Sequence, residues 1–191
     1  MSSTSTNSEL MLADLACDFR TGSEVPNVLI GGLGLGFSLK RVLEIIGPRA
    51  RVEVAELLPE VVAWNRELLG DLNGGLLRDE RVSVMVDDVY RCIRKVGKAH
   101  YDAILLDVDN GPTSFVQPQN SRLYGRAGID LIKYALKPGG RVAFWSAERE
   151  VAFQRALNRA GFRVSEDAAK AHPRAKREAH FIYTAEKELG A

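Results

Sequence analysis

Val28-Leu29-Ile30-Gly31-Gly32-Leu33-Gly34-Leu35-Gly36 is an apolar run that breaks into glycines, four of them within six positions. Such a run reads as a buried strand followed by a sharp turn. Beyond it Leu39, Val42, Leu43 and Ile46 recur at i, i+3, i+4 and i+7, one face of a helix, and Gly47-Pro48 closes that helix. In a strand–glycine–helix unit, glycine supplies positive φ and keeps side chains out of a ligand's way. The amides at the helix start then face that ligand. A pyrophosphate-binding G-x-G-x-x-G would need its third glycine at Phe37; the bulky ring there points to a mononucleoside rather than a dinucleotide.

The same alternation continues along the chain. Val52–Ala55 reads as a second strand, then Pro59 opens a helix with Val61, Trp64 and Leu68 at helical spacing. Val82–Val86, Ala103–Leu106 and Val142–Trp145 read as three further strands, with helices around Tyr90–Val96, over Ile129, Ile132 and Leu136, and over Phe153–Ala160. Phe162–Val164 and His180–Thr184 read as two last strands around a polar, basic segment. Repeated strand–helix units imply an α/β fold, a doubly wound, mainly parallel sheet of seven strands with helices on both faces. Residues 1–24 are expected to form an N-terminal segment with one helix, and residues 25–191 the ligand-binding domain.

In such a sheet the ligand crevice lies at the carboxyl ends of the strands, and the unusual residues fall there. Gly31, Gly32, Gly34 and Gly36 follow strand one, Glu56 strand two, Asp87-Asp88 strand three, Asp107, Asp109 and Asn110 strand four, and Ser146 and Glu148 strand five. A carboxylate at Glu56 is placed to accept both ribose hydroxyls. Asp88, or Asp87 beside it, is placed either to accept from the amine of an adenine or to cap the next helix.

These residues carry a resemblance. Val28–Gly36, Glu56, the acid pair after strand three and Tyr101-Asp102-Ala103-Ile104-Leu105-Leu106-Asp107 resemble class I S-adenosylmethionine-dependent methyltransferases, with their Rossmann-like sheet. Within that superfamily the chain is most similar to the spermidine synthases, the polyamine aminopropyltransferases. Ser8-Glu9-Leu10-Met11-Leu12 resembles the helix before their glycine loop, and Asp107-Val108-Asp109-Asn110-Gly111-Pro112 their catalytic acidic loop. The resemblance implies S-adenosylmethionine or its decarboxylated form as cofactor, held by Gly31, Gly32, Gly34, Gly36, Glu56, Asp88 and Asp107, with no metal. It implies Asp107 and Asp109 as catalytic groups that deprotonate a small-molecule amine acceptor such as a polyamine. Asn110, Gln117, Asn120 and Tyr124 are expected around the acceptor. The family's aspartate within the glycine loop, which holds the aminopropyl ammonium, aligns with Leu35, and its second loop aspartate with Asn110, or with Asp109 across a gap. Its N-terminal β-domain is not found ahead of the loop, which favours a homodimer over a tetramer if the chain assembles. Two alternatives stand: a small-molecule methyltransferase using intact S-adenosylmethionine, favoured by Leu35, and a non-catalytic protein that binds a nucleoside or a partner.

The remaining composition narrows the classes. The 191 residues are 46% hydrophobic and 27% charged with a net charge of +1, ordinary for a globular domain and not the signature of a general nucleic-acid binder. Nothing approaches the roughly 20 apolar residues of a membrane span, and Met1–Asn7 lacks the basic start and apolar stretch of a secretion signal. Two cysteines form no disulfide framework, so a cytoplasmic location is expected. They and the three histidines have no zinc spacing.

Overall fold

The structure is a computed structural model and describes residues 6–108, 121–170 and 178–189. A first helix α1 (Asn7–Cys17) leads into β1 (Asn27–Gly31), α2 (Phe37–Ile45), β2 (Arg51–Glu56), α3 (Pro59–Glu67) and the short α4 (Gly70–Asn73). Then come β3 (Val82–Val86), α5 (Val89–Lys95), β4 (Tyr101–Leu106), the short α6 (Ser121–Tyr124), α7 (Arg126–Ala135), β5 (Leu136–Ser146), α8 (Val151–Arg159), β6 (Phe162–Lys170) and β7 (Glu178–Lys187). The strands form one seven-stranded sheet in the order β3-β2-β1-β4-β5-β7-β6. The first five run parallel, and β7 is antiparallel to both β5 and β6. The strand order reverses between β1 and β4, so the crevice outside their carboxyl ends is the topological switch point.

Each sheet face has its own apolar layer. Val28 and Ile30 of β1, Val52 and Val54 of β2, and Ala103 and Leu105 of β4 pack with Leu12, Ala13 and Ala16 of α1 and with Leu39 and Val42 of α2. Leu29, Ile104, Leu106, Val142 and Phe144 face the other way, against residues of α5, α7 and α8. Every residue of β4 is buried, as a central strand covered on both faces requires. The N-terminal helix is therefore part of the core. Its chain is tied to the opposite end of the sheet by Asp102, fully buried, which accepts from Thr21, Ser23 and the Asn27 amide (2.7 Å) and pairs with Lys137 Nζ at 2.7 Å.

Two elements differ from their sequence pattern. Val61 and Trp64 do lie on a helix, with Leu68 as its C-cap, but Trp64 and Leu68 are 53% and 70% exposed, and α3 instead buries Val62 and Asn65. The helix pattern over Ile129, Ile132 and Leu136 stops one residue short: β5 begins at Leu136, paired with Tyr101, runs through Lys137-Pro138-Gly139-Gly140, and its ladder resumes at Ala103 with Arg141. The excursion is held by the Lys137–Asp102 pair, and a side chain at Gly140 would collide with the Lys137 carbonyl. Among the described residues no helix is long and apolar enough to cross a membrane.

Candidate functional site: a glycine loop at the switch point

The glycine loop prolongs the sheet by one step before turning away. The Asp107 amide donates to the Gly31 carbonyl at 3.0 Å and the Gly32 amide to the Ala55 carbonyl at 2.9 Å. Gly32, Gly34 and Gly36 all have positive φ, a conformation L side chains rarely adopt. At Gly32 a β-carbon would also overlap the Asp107 carbonyl. At Gly36 the missing side chain leaves room for Asn65, Asn73 and Leu76, 3.2 to 3.3 Å from where a β-carbon would stand. Gly36 is also the N-cap of α2, with no side chain bonded across that helix end, so the amides of the first turn open toward the crevice.

Glu56 closes the loop from the side. It is buried, at 8% exposure, and its two oxygens accept from the Leu33 amide of the glycine loop (2.8 Å) and the Leu58 amide at the start of α3 (2.9 Å). A carboxylate offers about four acceptor sites, so two backbone donors leave two for a diol. The carboxylate thus grips the loop while retaining the capacity to hold a sugar.

Asp107 stands immediately beyond β4, against Gly31 and Gly32. Burial first, and the charge of Glu9 second, push its carboxyl from 3.8 up to about 7. Glu9 belongs to α1, where it accepts from the Ser8 hydroxyl at 2.9 Å. The same Glu9 charge acts on His180, although burial dominates there and lowers the imidazole below its ordinary 6.5. The His180 ring lies 4.7 Å from that of Trp145, and its Nδ1 is buried without a hydrogen-bond partner among the described residues. Pairing of Ser146 with Phe181 puts His180 at the carboxyl end of β5. Trp145 and His180 therefore stack at the carboxyl end of β5.

Other candidates are engaged elsewhere. Asp88 is the N-cap of α5: one oxygen accepts from the Tyr90 amide at 2.8 Å, and the other meets Arg122 at 3.1 Å. Asp87 pairs with Lys95 at 2.8 Å, and that hydrogen bond holds its carboxyl below the usual range. Tyr124 is buried, its ring centroid 5.6 Å from Phe153 and 6.1 Å from Phe144, on the α7–α8 face of the core. Asp109, Asn110, Gln117 and Asn120 lie outside the described residues. Among the described residues no group of three or more His, Cys, Asp or Glu is placed to hold a metal ion.

Sequence reasoning missed the braces of the loop. Asn65 Nδ2 donates to the Gly34 carbonyl at 2.9 Å, and Asn73 Nδ2 donates to Asn65 Oδ1 at 2.8 Å. A polar residue on the buried face of α3 was the available signal, since buried amides demand partners. Glu9 and His180 were missed for lack of any local pattern.

A doubly wound sheet, a glycine loop at its switch point and an acid at the end of the second strand define the Rossmann-like class of nucleoside-binding proteins. The chain belongs to the S-adenosyl-L-methionine-dependent methyltransferase family, whose model matches residues 64–180, and so to a family of transferases. It is similar to the polyamine aminopropyltransferases of Corynebacterium efficiens, 33% identical over 125 residues (63% of this chain, 22% of that protein), and Mycobacterium tuberculosis strain H37Rv, 35% identical over 116 residues (60% and 21%). The chain thus spans about a fifth of the length of these two curated relatives. Its fold is that of the Thermotoga maritima spermidine synthase, at TM-score 0.69 and 18% identity over 97% of this chain and 62% of that one. Human methyltransferase-like protein 13, solved in complex with SAH, matches at TM-score 0.66 and 20% identity over 97% of this chain and 78% of that one.

Proposed function

We propose that this chain binds the decarboxylated form of S-adenosylmethionine in the crevice above Gly31–Gly36 and transfers its aminopropyl group to a small amine such as a polyamine. The observation that carries the proposal is the Glu56 carboxylate. It is buried against the loop amide of Leu33, with acceptor sites left for a ribose diol, in a family defined by an adenosyl cofactor. The aminopropyltransferase names of the relatives at 33% and 35% identity support the choice of group.

The cofactor supplies a carbon activated by its neighbouring sulfonium. In the transfer the acceptor nitrogen forms a bond to that carbon, the carbon–sulfur bond breaks with its electron pair going to sulfur, and the nitrogen must shed a proton. Asp107 receives that proton in our proposal. A carboxyl pushed up to about 7 has the basicity a proton acceptor needs near neutral pH, and its place beside Gly32 puts it at the loop end of the crevice. Holding acceptor and sulfonium in contact supplies much of the remaining acceleration. Asp109, Asn110, Gln117 and Asn120 follow Asp107 along the chain and are proposed to complete the acceptor side. Asp88 fixes the start of α5 and is proposed to accept from the adenine amine with the acceptor sites its two partners leave open.

The second reading is methyl transfer from intact S-adenosylmethionine. Leu35 favours it, because no carboxylate stands within the glycine loop, and so does the methyltransferase description of the family.

Calorimetric titration with S-adenosylmethionine, its decarboxylated form and methylthioadenosine separates these readings. Tighter binding of the decarboxylated form, with an acceptor amine gaining an aminopropyl unit in mass spectra, is expected. Tighter binding of S-adenosylmethionine with methylated product would replace our proposal by the second reading. Glu56→Ala is expected to weaken all three ligands by about 1–3 kcal/mol, the range for a lost charged hydrogen bond; undiminished affinity would refute the placement of the ribose.

A further inference from the structure

Two buried side-chain amides stand behind the glycine loop, and they are wired to it in one direction. Asn65 Nδ2 donates to the Gly34 carbonyl at 2.9 Å and to the Val61 carbonyl of its own helix, also at 2.9 Å. Asn65 Oδ1 accepts from Asn73 Nδ2 at 2.8 Å, and Asn73 Oδ1 accepts from the Gly75 amide at 3.1 Å. The chain of bonds therefore runs from the turn after α4, across α3, to the loop, with every donor aimed toward Gly34. Asn65 is 2% exposed and Asn73 1%. Buried bonds linked head to tail in this way polarise and strengthen one another.

An asparagine in the middle of a helix competes with the helix's own backbone bonds, and a buried helix face is ordinarily apolar. What Asn65 adds to α3 is the directed bond to Gly34. Because a peptide is planar and trans, the Gly34 carbonyl and the Leu35 N–H point in opposite directions. Fixing the carbonyl against α3 turns the Leu35 N–H away from α3, on a stretch of the loop that is only half-buried. Gly34, at φ +51°, has no β-carbon to resist rotation of that peptide. The same amides fill the space behind Gly36, where Asn65 Oδ1 and Asn73 Nδ2 lie 3.2 and 3.3 Å from the position of a β-carbon. The loop is thus gripped at Leu33 by Glu56, at Gly34 by Asn65 and at Gly36 by both asparagines.

We infer that Asn65 is a positioning residue for the cofactor, and that Asn73 acts on Gly34 through it. Together they hold the Gly34 peptide in the orientation the nucleoside meets. The inference rests on the cofactor placement proposed above. A run of glycines has more conformational freedom to lose than any other stretch of chain, and a site ordered in advance binds without that cost. The segment after α3 thereby contributes to binding from behind the loop.

The test compares wild type with Asn65→Ala, Asn73→Ala, the double variant, and Asn65→Leu, which fills the same space with an apolar group so that a cavity is not the cause of any effect. Backbone amide order parameters are measured by NMR without ligand, and methylthioadenosine affinity by calorimetry. In both Asn65 variants the amides of Gly34, Leu35 and Gly36 are expected to fall from about 0.85 to below about 0.6, while those of β4 stay at the rigid value. Methylthioadenosine should bind roughly 10-fold more weakly, the worth of one buried hydrogen bond. Asn73→Ala should lose less than Asn65→Ala, and the double variant should be little weaker than Asn65→Ala, because groups in one network do not add. Losses that multiply would overturn the route through Asn65. Undiminished affinity in both Asn65 variants, or loop order parameters that stay at wild-type values, would overturn the role of Asn65 while leaving the cofactor site standing. Failure of wild type to bind methylthioadenosine at all would overturn the cofactor placement and the role of Asn65 in binding with it.

Discussion

Asp107→Asn should make the protein more stable at alkaline pH. The carboxyl is held half-buried behind the glycine loop near Glu9, and its titration moves from 3.8 to about 7. Below pH 3.8 the group is protonated in the folded and the unfolded chain alike, and its perturbation has no effect on stability. From there to about pH 7 the unfolded chain gives up the proton while the folded chain keeps it. Folding is therefore progressively penalised as pH rises, and above pH 7 the whole cost is in force. At about 1.36 kcal/mol per pH unit, that interval amounts to about 4 kcal/mol. Asparagine is close in shape and never ionises. The variant should therefore match wild type near pH 4 and gain stability steadily, up to about 4 kcal/mol at pH 8. Urea unfolding at pH 4, 5, 6, 7 and 8, with midpoints and slopes compared between the two proteins, measures the difference directly. A difference that stays constant over that range, or that shrinks as pH rises, would refute both the burial of the charge and its proximity to Glu9. The same variant should keep its methylthioadenosine affinity and lose aminopropyl transfer, the exchange of stability for function that active sites commonly show.

Further outcomes are expected elsewhere in the molecule. Gly32→Ala meets the Asp107 carbonyl and a φ of +90°, so it should cost about 1–2 kcal/mol from backbone strain alone and weaken nucleoside binding, read by thermal shift and calorimetry. Lys137→Met leaves the fully buried Asp102 without its cation; breaking such a pair costs about 3–5 kcal/mol, measured by urea unfolding at pH 7. Burial acts to raise the Asp102 carboxyl, but bonds from Lys137, Ser23, Thr21 and the Asn27 amide outweigh it and hold it below 3.8. Its stabilisation is thus present above pH 3.8 and lost as pH falls through the folded value; the variant should show a shallower acid limb. Burial pushes the thiols of Cys17 and Cys92 up to about 12 and about 11. Alkylation by iodoacetamide at pH 8 should therefore be slow in the folded protein and fast in urea, and rapid labelling of native protein would contradict their burial.

Much of this was legible in the order of residues, because its causes are local. Apolar runs that end in glycine make a strand that turns, positive φ at Gly32, Gly34 and Gly36 needs glycine whatever surrounds it, and alternating strands and helices allow few topologies. Glu56 could be placed beside the loop for the same reason, since the end of the second strand lies next to the end of the first in a parallel sheet. What tertiary structure alone decided depends on contacts between distant segments. The spacing of Val61, Trp64 and Leu68 is helical, yet the face that packs is the one whose Asn65 can bond the Gly34 carbonyl. Asp88 is suited to an adenine or a helix end by its place after the third strand, and the fold adds that it caps α5 and meets Arg122 from α6. Glu9, Asp107 and His180 lie on three separate elements; only the packing of α1 across the sheet lets one charge reach the other two groups. Local chemistry is written residue by residue, whereas the electrostatics of a crevice arise from whichever side chains the core brings to its rim.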